Sequence, residues 1–256
     1  MIIQVENAIS AEGCRRLMTV YDRRAHLTAA RDYTGHPVVY WDQFRDVLDV
    51  AEIVRRLIIE CLRCLGAEMK LEDRLYPETV ILAAIGVGGC HSRHADNCRQ
   101  NEEGDWVANH TPQRDVSAIY YLNEEFDGGE IFFEQAQLTV KPRRGLLVAF
   151  PGDADHVHEV LPVRSGVRYT MPIWFTKQQG CALSIAGLTG ARRQQPGRED
   201  APTSGSGRER PPVARNRVQK NAGQRGSASP AFARAGSSRQ LLRSFLRTCE
   251  RFERGP

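Results

Sequence analysis

The chain has 256 residues, 41% of them hydrophobic and 26% charged, enough for a sizeable core in one large domain or two small ones. Its net charge of +4 hides an uneven division: from residue 187 onward 15 Lys and Arg face 5 Asp and Glu, a net of +10, so residues 1–186 carry −6. No stretch reaches the ~20 consecutive apolar residues of a membrane span, the N-terminus lacks a basic and apolar leader, and seven cysteines without regular spacing make no disulfide framework. Neither a helical membrane span nor a disulfide-stapled scaffold is expected, and the expectation is a soluble protein of a reducing compartment, the cytoplasm.

The first predicted helix follows Ser10, a capping residue with Glu12 in the first turn. Cys14, Leu17, Met18, Tyr21 and Ala25 then recur at helical spacing and form one apolar stripe. A second helix carries Val47, Val50, Ala51, Val54, Leu57, Ile58, Cys61 and Leu65 on a broad apolar face. Cys61 and Cys64 form a C-x-x-C within it, but no second pair completes a zinc site, so they read as small packing residues. The mixed stretch 33–44 between the helices carries no assignment.

From residue 79 the period changes to that of strands. A β-rich run at 79–85 ends in Gly86-Val87-Gly88-Gly89, and a polar insertion occupies 101–113. Further strand-like runs lie at 116–122, 130–133, 138–140, 145–150, 157–163 and 167–175, most of them separated by Gly- and Pro-containing turns. About seven short strands after two helices predict a mainly β domain. Its expected form is an antiparallel double-sheet barrel of jelly-roll or cupin type, with the helices packed on the major sheet. Residues 1–78 would then be a helical support region of the same domain, and 79–180 its core. In the last strand Val167, Tyr169, Met171, Ile173 and Phe175 share one face, leaving Arg168, Thr170, Pro172 and Trp174 on the other. An arginine on an interior face requires an anion, because burying its charge unpaired is costly.

Residues 186–256 are rich in Gly, Ser, Pro, Gln, Ala and Arg, with too few large apolar residues for a core, and are expected to be disordered. Only 241–252 has helical spacing. Nucleic-acid binding is not expected of the core. For the tail two readings stay open: a basic arm for RNA or a membrane surface, and a stretch of no selected function.

The chemistry concentrates in two segments. In His94-Ala95-Asp96 an imidazole and a carboxylate two residues apart point the same way on extended backbone and can share one metal. With one more imidazole they would make a facial triad with open positions on iron(II). The second segment, from His156 to Tyr169, supplies a histidine on a strand, a turn, and the inward Arg168, whose planar fork suits a carboxylate. His156 and His158 compete for the role of third ligand.

Together these motifs resemble the prolyl-hydroxylase type of 2-oxoglutarate/iron(II) dioxygenases. The run His94-Ala95-Asp96-Asn97-Cys98 and the stretch from Arg114 through Tyr120-Tyr121-Leu122-Asn123 to Gly129 are most similar to the collagen prolyl 3-hydroxylase catalytic domain. His158-Glu159-Val160 with Pro162 also resembles the oxygen-sensing prolyl hydroxylases. The resemblance implies a double-stranded β-helix. It assigns His94, Asp96 and His158 as iron ligands, and Arg168 as the clamp for the distal carboxylate of 2-oxoglutarate. The Glu-Val-x-Pro-Val register favours His158 over His156. Tyr121 matches a tyrosine that bonds the same carboxylate in some relatives, and Thr170, facing as Arg168 does, could assist. His91, Asn97, Trp106 and Trp174 are the candidates for contacting substrate or the surroundings of the metal. Two positions depart from the usual pattern: Ile85 and His91 stand where many relatives have tyrosine.

The implied activity is hydroxylation of an unactivated C–H of a prolyl or other amino-acid-derived substrate. It would use Fe(II), 2-oxoglutarate and O2, release succinate and CO2, and employ ascorbate as reductant. The partner would be a peptide or a small molecule, the alternative being a free amino acid or a natural-product intermediate. Asp96 speaks against halogenation, for which a small residue replaces the carboxylate. Readings of other classes are an inactive barrel serving as a binding module and a zinc hydrolase on the same triad.

Overall fold

A computed structural model describes residues 1–31, 35–69 and 73–185. The sequence-predicted tail helix and the low-complexity region from 186 onward lie outside the described residues. The chain begins with β1 (Ile3–Val5), α1 (Ala11–Arg24), β2 (Val38–Tyr40) and α2 (Leu48–Glu68). It continues with β3 (Tyr76–Ile85), β4 (His91–His94), β5 (Cys98–Gln100), β6 (Trp106–Ala108) and β7 (Val116–Tyr121). The remaining strands are β8 (Asp127–Gly128), β9 (Ile131–Phe133), β10 (Leu138–Val140), β11 (Leu147–Pro151), β12 (His158–Val160), β13 (Val163–Ser165) and β14 (Arg168–Thr176).

Six strands form a large sheet in the order β1-β11-β7-β14-β3-β2, and four form a smaller one in the order β10-β9-β12-β4. Every pairing is antiparallel. The large sheet uses the two faces of its strands differently. Val80, Leu82 and Ala84 of β3, Ala118 and Tyr120 of β7, and Met171, Ile173 and Phe175 of β14 join the helices in one apolar cluster. Cys14 and Leu17 of α1 and Val54, Ile58, Cys61 and Leu65 of α2 complete it. The stripes read from the sequence are therefore the surfaces that meet. Burial pushes the Cys61 thiol far above its usual range, in keeping with a small buried packing residue.

Ser10 caps α1 through its side-chain oxygen, which accepts from the Gly13 amide at 3.1 Å. The Tyr169 hydroxyl donates to Asp22 at 2.9 Å, and its ring meets Tyr21 edge-on at 5.6 Å. The Tyr120 hydroxyl donates to the Leu57 carbonyl at 2.9 Å. Each helix is thus tied to the sheet by a tyrosine as well as by apolar contact.

On the opposite face of the large sheet, Tyr121, Val148 and Phe150 pack with Ile131, Phe133 and Val140 across the interior, closing one end of the space between the sheets. Several expectations differ in detail. The run 157–163 is two strands, β12 and β13, in different sheets, with Leu161 and Pro162 between them. The stretch 33–44 contains β2, which pairs with β3 at the sheet edge. The polar insertion is bounded by a hairpin, in which Cys98, Arg99 and Gln100 pair with Ala108, Val107 and Trp106. Its polar composition reflects exposure of a small hairpin and its tip rather than absence of structure. Residues 1–78 share the sheet and the core with the rest, since β1, β2 and both helices belong to them.

Candidate active site

The space between the sheets is a cavity of about 560 Å³. His94 ends β4 and His158 begins β12, and the two are direct cross-strand partners. Their ring centroids lie 4.4 Å apart. Asp96 follows β4 by two residues. Its carboxylate oxygens stand 3.8 Å from His94 Nε2 and 4.0 Å from His158 Nε2. Ligand atoms of the three residues all fall within 4.8 Å of one another, and among the described residues this is the group whose donor atoms could hold a metal ion.

The donor chemistry fits a divalent metal. His94 Nδ1 lies 2.6 Å from the Ser92 carbonyl, and His158 Nδ1 lies 3.0 Å from the His156 carbonyl. A carbonyl can only accept, so each Nδ1 carries the proton and each Nε2 offers its lone pair to the gap between the residues. Burial depresses the His158 pKa to about 4, and the neighbouring His94 charge adds to the effect; the imidazole is neutral, as ligation requires. Burial alone would raise Asp96, but His158, His94 and the Ser117 hydroxyl outweigh it and hold the carboxyl below its ordinary value. Ser117 of β7 donates to Asp96 Oδ2. The Asp96 carbonyl in turn accepts from Thr111 Oγ1 at 2.8 Å and Asn109 Nδ2 at 3.1 Å. Gly152 faces Asp96 closely; a Cβ there would come within 2.5 Å of the Arg114 carbonyl.

His156 is directed elsewhere. It lies in a short turn, with Nδ1 at 2.6 Å from Asp153 and Nε2 at 2.6 Å from the Met1 amino group. Of the two histidines, His158 is the one that lies with His94 and Asp96.

Arg168 begins β14 opposite Ile85 of β3 and is 3% exposed. Its Nε donates to the Gly129 carbonyl at 3.1 Å, and one terminal nitrogen lies 3.4 Å from the Tyr121 hydroxyl. The guanidinium sits 5.0 Å from the Tyr121 ring centre. Among the described residues no carboxylate forms an ion pair with it. A buried cation so placed is a receptor for an anion that enters from outside. Thr170, 1% exposed, lies on the same face of β14 and pairs with Tyr121. Gly129 has φ of 65°, and a Cβ on it would reach 2.8 Å from Arg168 Cδ, so only glycine lets the guanidinium lie there.

Of the remaining candidates, His91 and Trp174 line the cavity, whereas Asn97 and Trp106 do not. The Asn97 amide donates to the Gly152 carbonyl at 2.9 Å, and the Trp106 ring lies 5.9 Å from the Arg93 guanidinium. Ser117, Asn109, Thr111 and Arg114 were not singled out by the sequence. Arg114 lies 4.1 Å over the Trp174 ring and pairs with Glu78 at 3.2 Å. Alternation in the 116–122 run could have placed Ser117 inward beside Tyr121. Nothing in the linear sequence ties Thr111 to Asp96.

Residues 80–176 match the profile of the 2OG-Fe(II) oxygenase superfamily. Prolyl 3-hydroxylase 2 of Mus musculus is 34% identical over 94 residues, an alignment spanning 34% of this chain and 13% of that protein's length. Among solved structures, the viral collagen prolyl hydroxylase of Paramecium bursaria Chlorella virus-1, in its 2OG complex, superposes with a TM-score of 0.53 at 16% identity. That superposition covers 68% of this chain and 94% of that one. A Trichoplax adhaerens prolyl hydroxylase, solved with a hypoxia inducible factor peptide fragment, gives 0.50 at 18% identity, covering 69% and 83%. Residues 80–176 therefore resemble the 2OG-Fe(II) oxygenase superfamily, and the chain is similar to prolyl hydroxylases over a small part of the curated relatives' length.

Proposed function

We propose that the protein is a 2-oxoglutarate-dependent hydroxylase acting on an unactivated C–H of a prolyl or related amino-acid-derived residue. The observation that carries this is the pairing of two features in one cavity. A two-histidine, one-carboxylate set whose ligand atoms lie within 4.8 Å of one another stands beside a buried arginine that has no carboxylate of its own among the described residues. His94, Asp96 and His158 would hold iron(II), and Arg168, with Tyr121 and Thr170 beside it, would hold the distal carboxylate of 2-oxoglutarate. Bound iron with 2-oxoglutarate and O2 supplies the oxidising power for hydroxylation, with succinate and CO2 released.

The chain's own residues orient and shelter that chemistry. The Ser92 and His156 carbonyls fix the imidazole tautomers, and Ser117 fixes the Asp96 carboxylate. Phe150 and Phe133 pack against His158, with ring centroids at 4.7 and 5.7 Å, and keep water from that side of the ligand. The reading extends to ascorbate as reductant and to a reducing, cytoplasmic setting, in keeping with seven cysteines whose spacing makes no disulfide framework. For the substrate, a peptide is favoured by the peptide bound to the Trichoplax relative.

The test is succinate release in the presence of iron(II), 2-oxoglutarate and O2 over a panel of prolyl peptides and free amino acids. Turnover in the wild type and its loss in His94→Ala are expected. Activity supported by zinc without O2 or 2-oxoglutarate would instead favour a hydrolase. Unchanged turnover in His94→Ala would contradict the proposal.

A further inference from the structure

The charge of the cavity wall runs against that of the domain around it. Residues 1–186 carry a net charge of −6. Yet among the described residues lining the cavity there are four arginines, Arg31, Arg99, Arg114 and Arg168, and a single acid, Asp96. Asp96 belongs to the triad and Arg168 to the 2-oxoglutarate position. Arg114 is neutralised by Glu78 at 3.2 Å and packed over Trp174. That leaves Arg31 and Arg99. Both are exposed, and they come from separate elements, one just before β2 and the other in β5 of the small hairpin. Arg31 donates through one terminal nitrogen to the Thr28 and Ala30 carbonyls, each at 3.0 Å, which holds its head in place without cancelling its charge. Neither arginine has an ion-pair partner among the described residues.

A cationic rim on an acidic domain is a field aimed at one kind of ligand. We infer that the protein selects a polypeptide segment carrying acidic residues beside the hydroxylated position, with Arg31 and Arg99 reading those carboxylates. The inference rests on the hydroxylase reading above and names its substrate class. Two exposed arginines from different elements suit the residues that flank a target in an extended chain. A free amino acid with a neutral side chain brings a single carboxylate, whereas a peptide can bring one on each side of the target.

The test uses fluorescein-labelled peptides with Glu on both sides of a proline and matched peptides with Gln. They are titrated by anisotropy against the full-length protein loaded with Mn(II) and 2-oxoglutarate under nitrogen. The Glu peptides should bind about tenfold more tightly, with a gap that narrows as NaCl is raised. In the Arg31→Glu/Arg99→Glu double variant the gap should close. The basic stretch from 187 onward is the same in both proteins, so a Glu preference that survives in the double variant belongs to that stretch and overturns the inference. Equal binding of Glu and Gln peptides to the wild type also overturns it, as does displacement of the Glu peptide by free L-proline at comparable concentration. The visible charge-transfer band with iron(II) and 2-oxoglutarate, recorded on the same preparation, separates the two failures. A present band without Glu discrimination sinks only the substrate class, and an absent band sinks the hydroxylase reading beneath it.

Discussion

Arg168 shows how one residue's surroundings define a ligand. Its position inside the protein is set by the alternation of β14, and its depth by Gly129, where any side chain would collide with it. Its hydrogen bonds go to a carbonyl and toward a phenol, so among the described residues no acid answers its charge. A lysine would keep the charge but lose the two-pronged geometry and the stacking on Tyr121. We therefore expect Arg168→Lys to weaken 2-oxoglutarate binding by roughly tenfold or more, a difference of about 1.4 kcal/mol or larger. Titration of 2-oxoglutarate at saturating metal would measure it. Equal affinity in the variant would show that charge alone suffices. The inward placement of this arginine was legible from period-two alternation. The absence of an acid beside it among the described residues was not, because its neighbours come from β3, β7 and the turn at Gly129, distant in sequence.

At the scale of elements, the candidate metal-binding set depends on two strands and one loop. The β4–β12 pairing places His94 opposite His158, so the two imidazoles meet through the sheet's own register. Asp96 lies beyond that register and needs other supports. These are Ser117 of β7 on its carboxylate and Thr111 and Asn109 on its carbonyl. The polar insertion at 101–113 thus helps to hold Asp96 in place. Replacing Thr111 by Val removes the hydroxyl at constant shape. Outer supports of this kind typically change metal affinity by about ten- to hundredfold, and Thr111→Val should fall near the lower end, read as a weaker Kd for Co(II) or Mn(II) by calorimetry. An unchanged Kd would mean that Ser117 and the flanking backbone hold Asp96 unaided. The helices were the most legible elements, since Ser10 and the two apolar stripes act locally. The short strands β1, β2, β5 and β6 were not, because three residues carry too little periodicity and their pairing is decided by neighbours far along the chain.

For the molecule as a whole, helices and sheets divide the labour. One face of the large sheet is committed to the helices through a continuous apolar core, and the other is left to line a cavity whose polar groups converge at one place. Among the described residues no helix is long and apolar enough to cross a membrane. The general architecture was readable because seven runs of alternating residues and their turns permit few arrangements. The sorting of those strands into two sheets was not, as the split of 157–163 into β12 and β13 shows. The site was readable through residue types with few alternative uses: a spaced His and Asp, a later His, and an inward Arg. Its supports, Ser117 and Thr111, were hidden because hydroxyl residues are common and their partners are set only by the folded chain.

The central claim is that this cavity binds iron(II) and 2-oxoglutarate together. The most direct measurement is anaerobic addition of both to the folded, metal-free protein while the visible spectrum is recorded. The account predicts a metal-to-ligand charge-transfer band that requires both additions and is lost in His94→Ala and Asp96→Ala. A folded wild-type protein that shows no such band, or shows one unaffected by those substitutions, would contradict it.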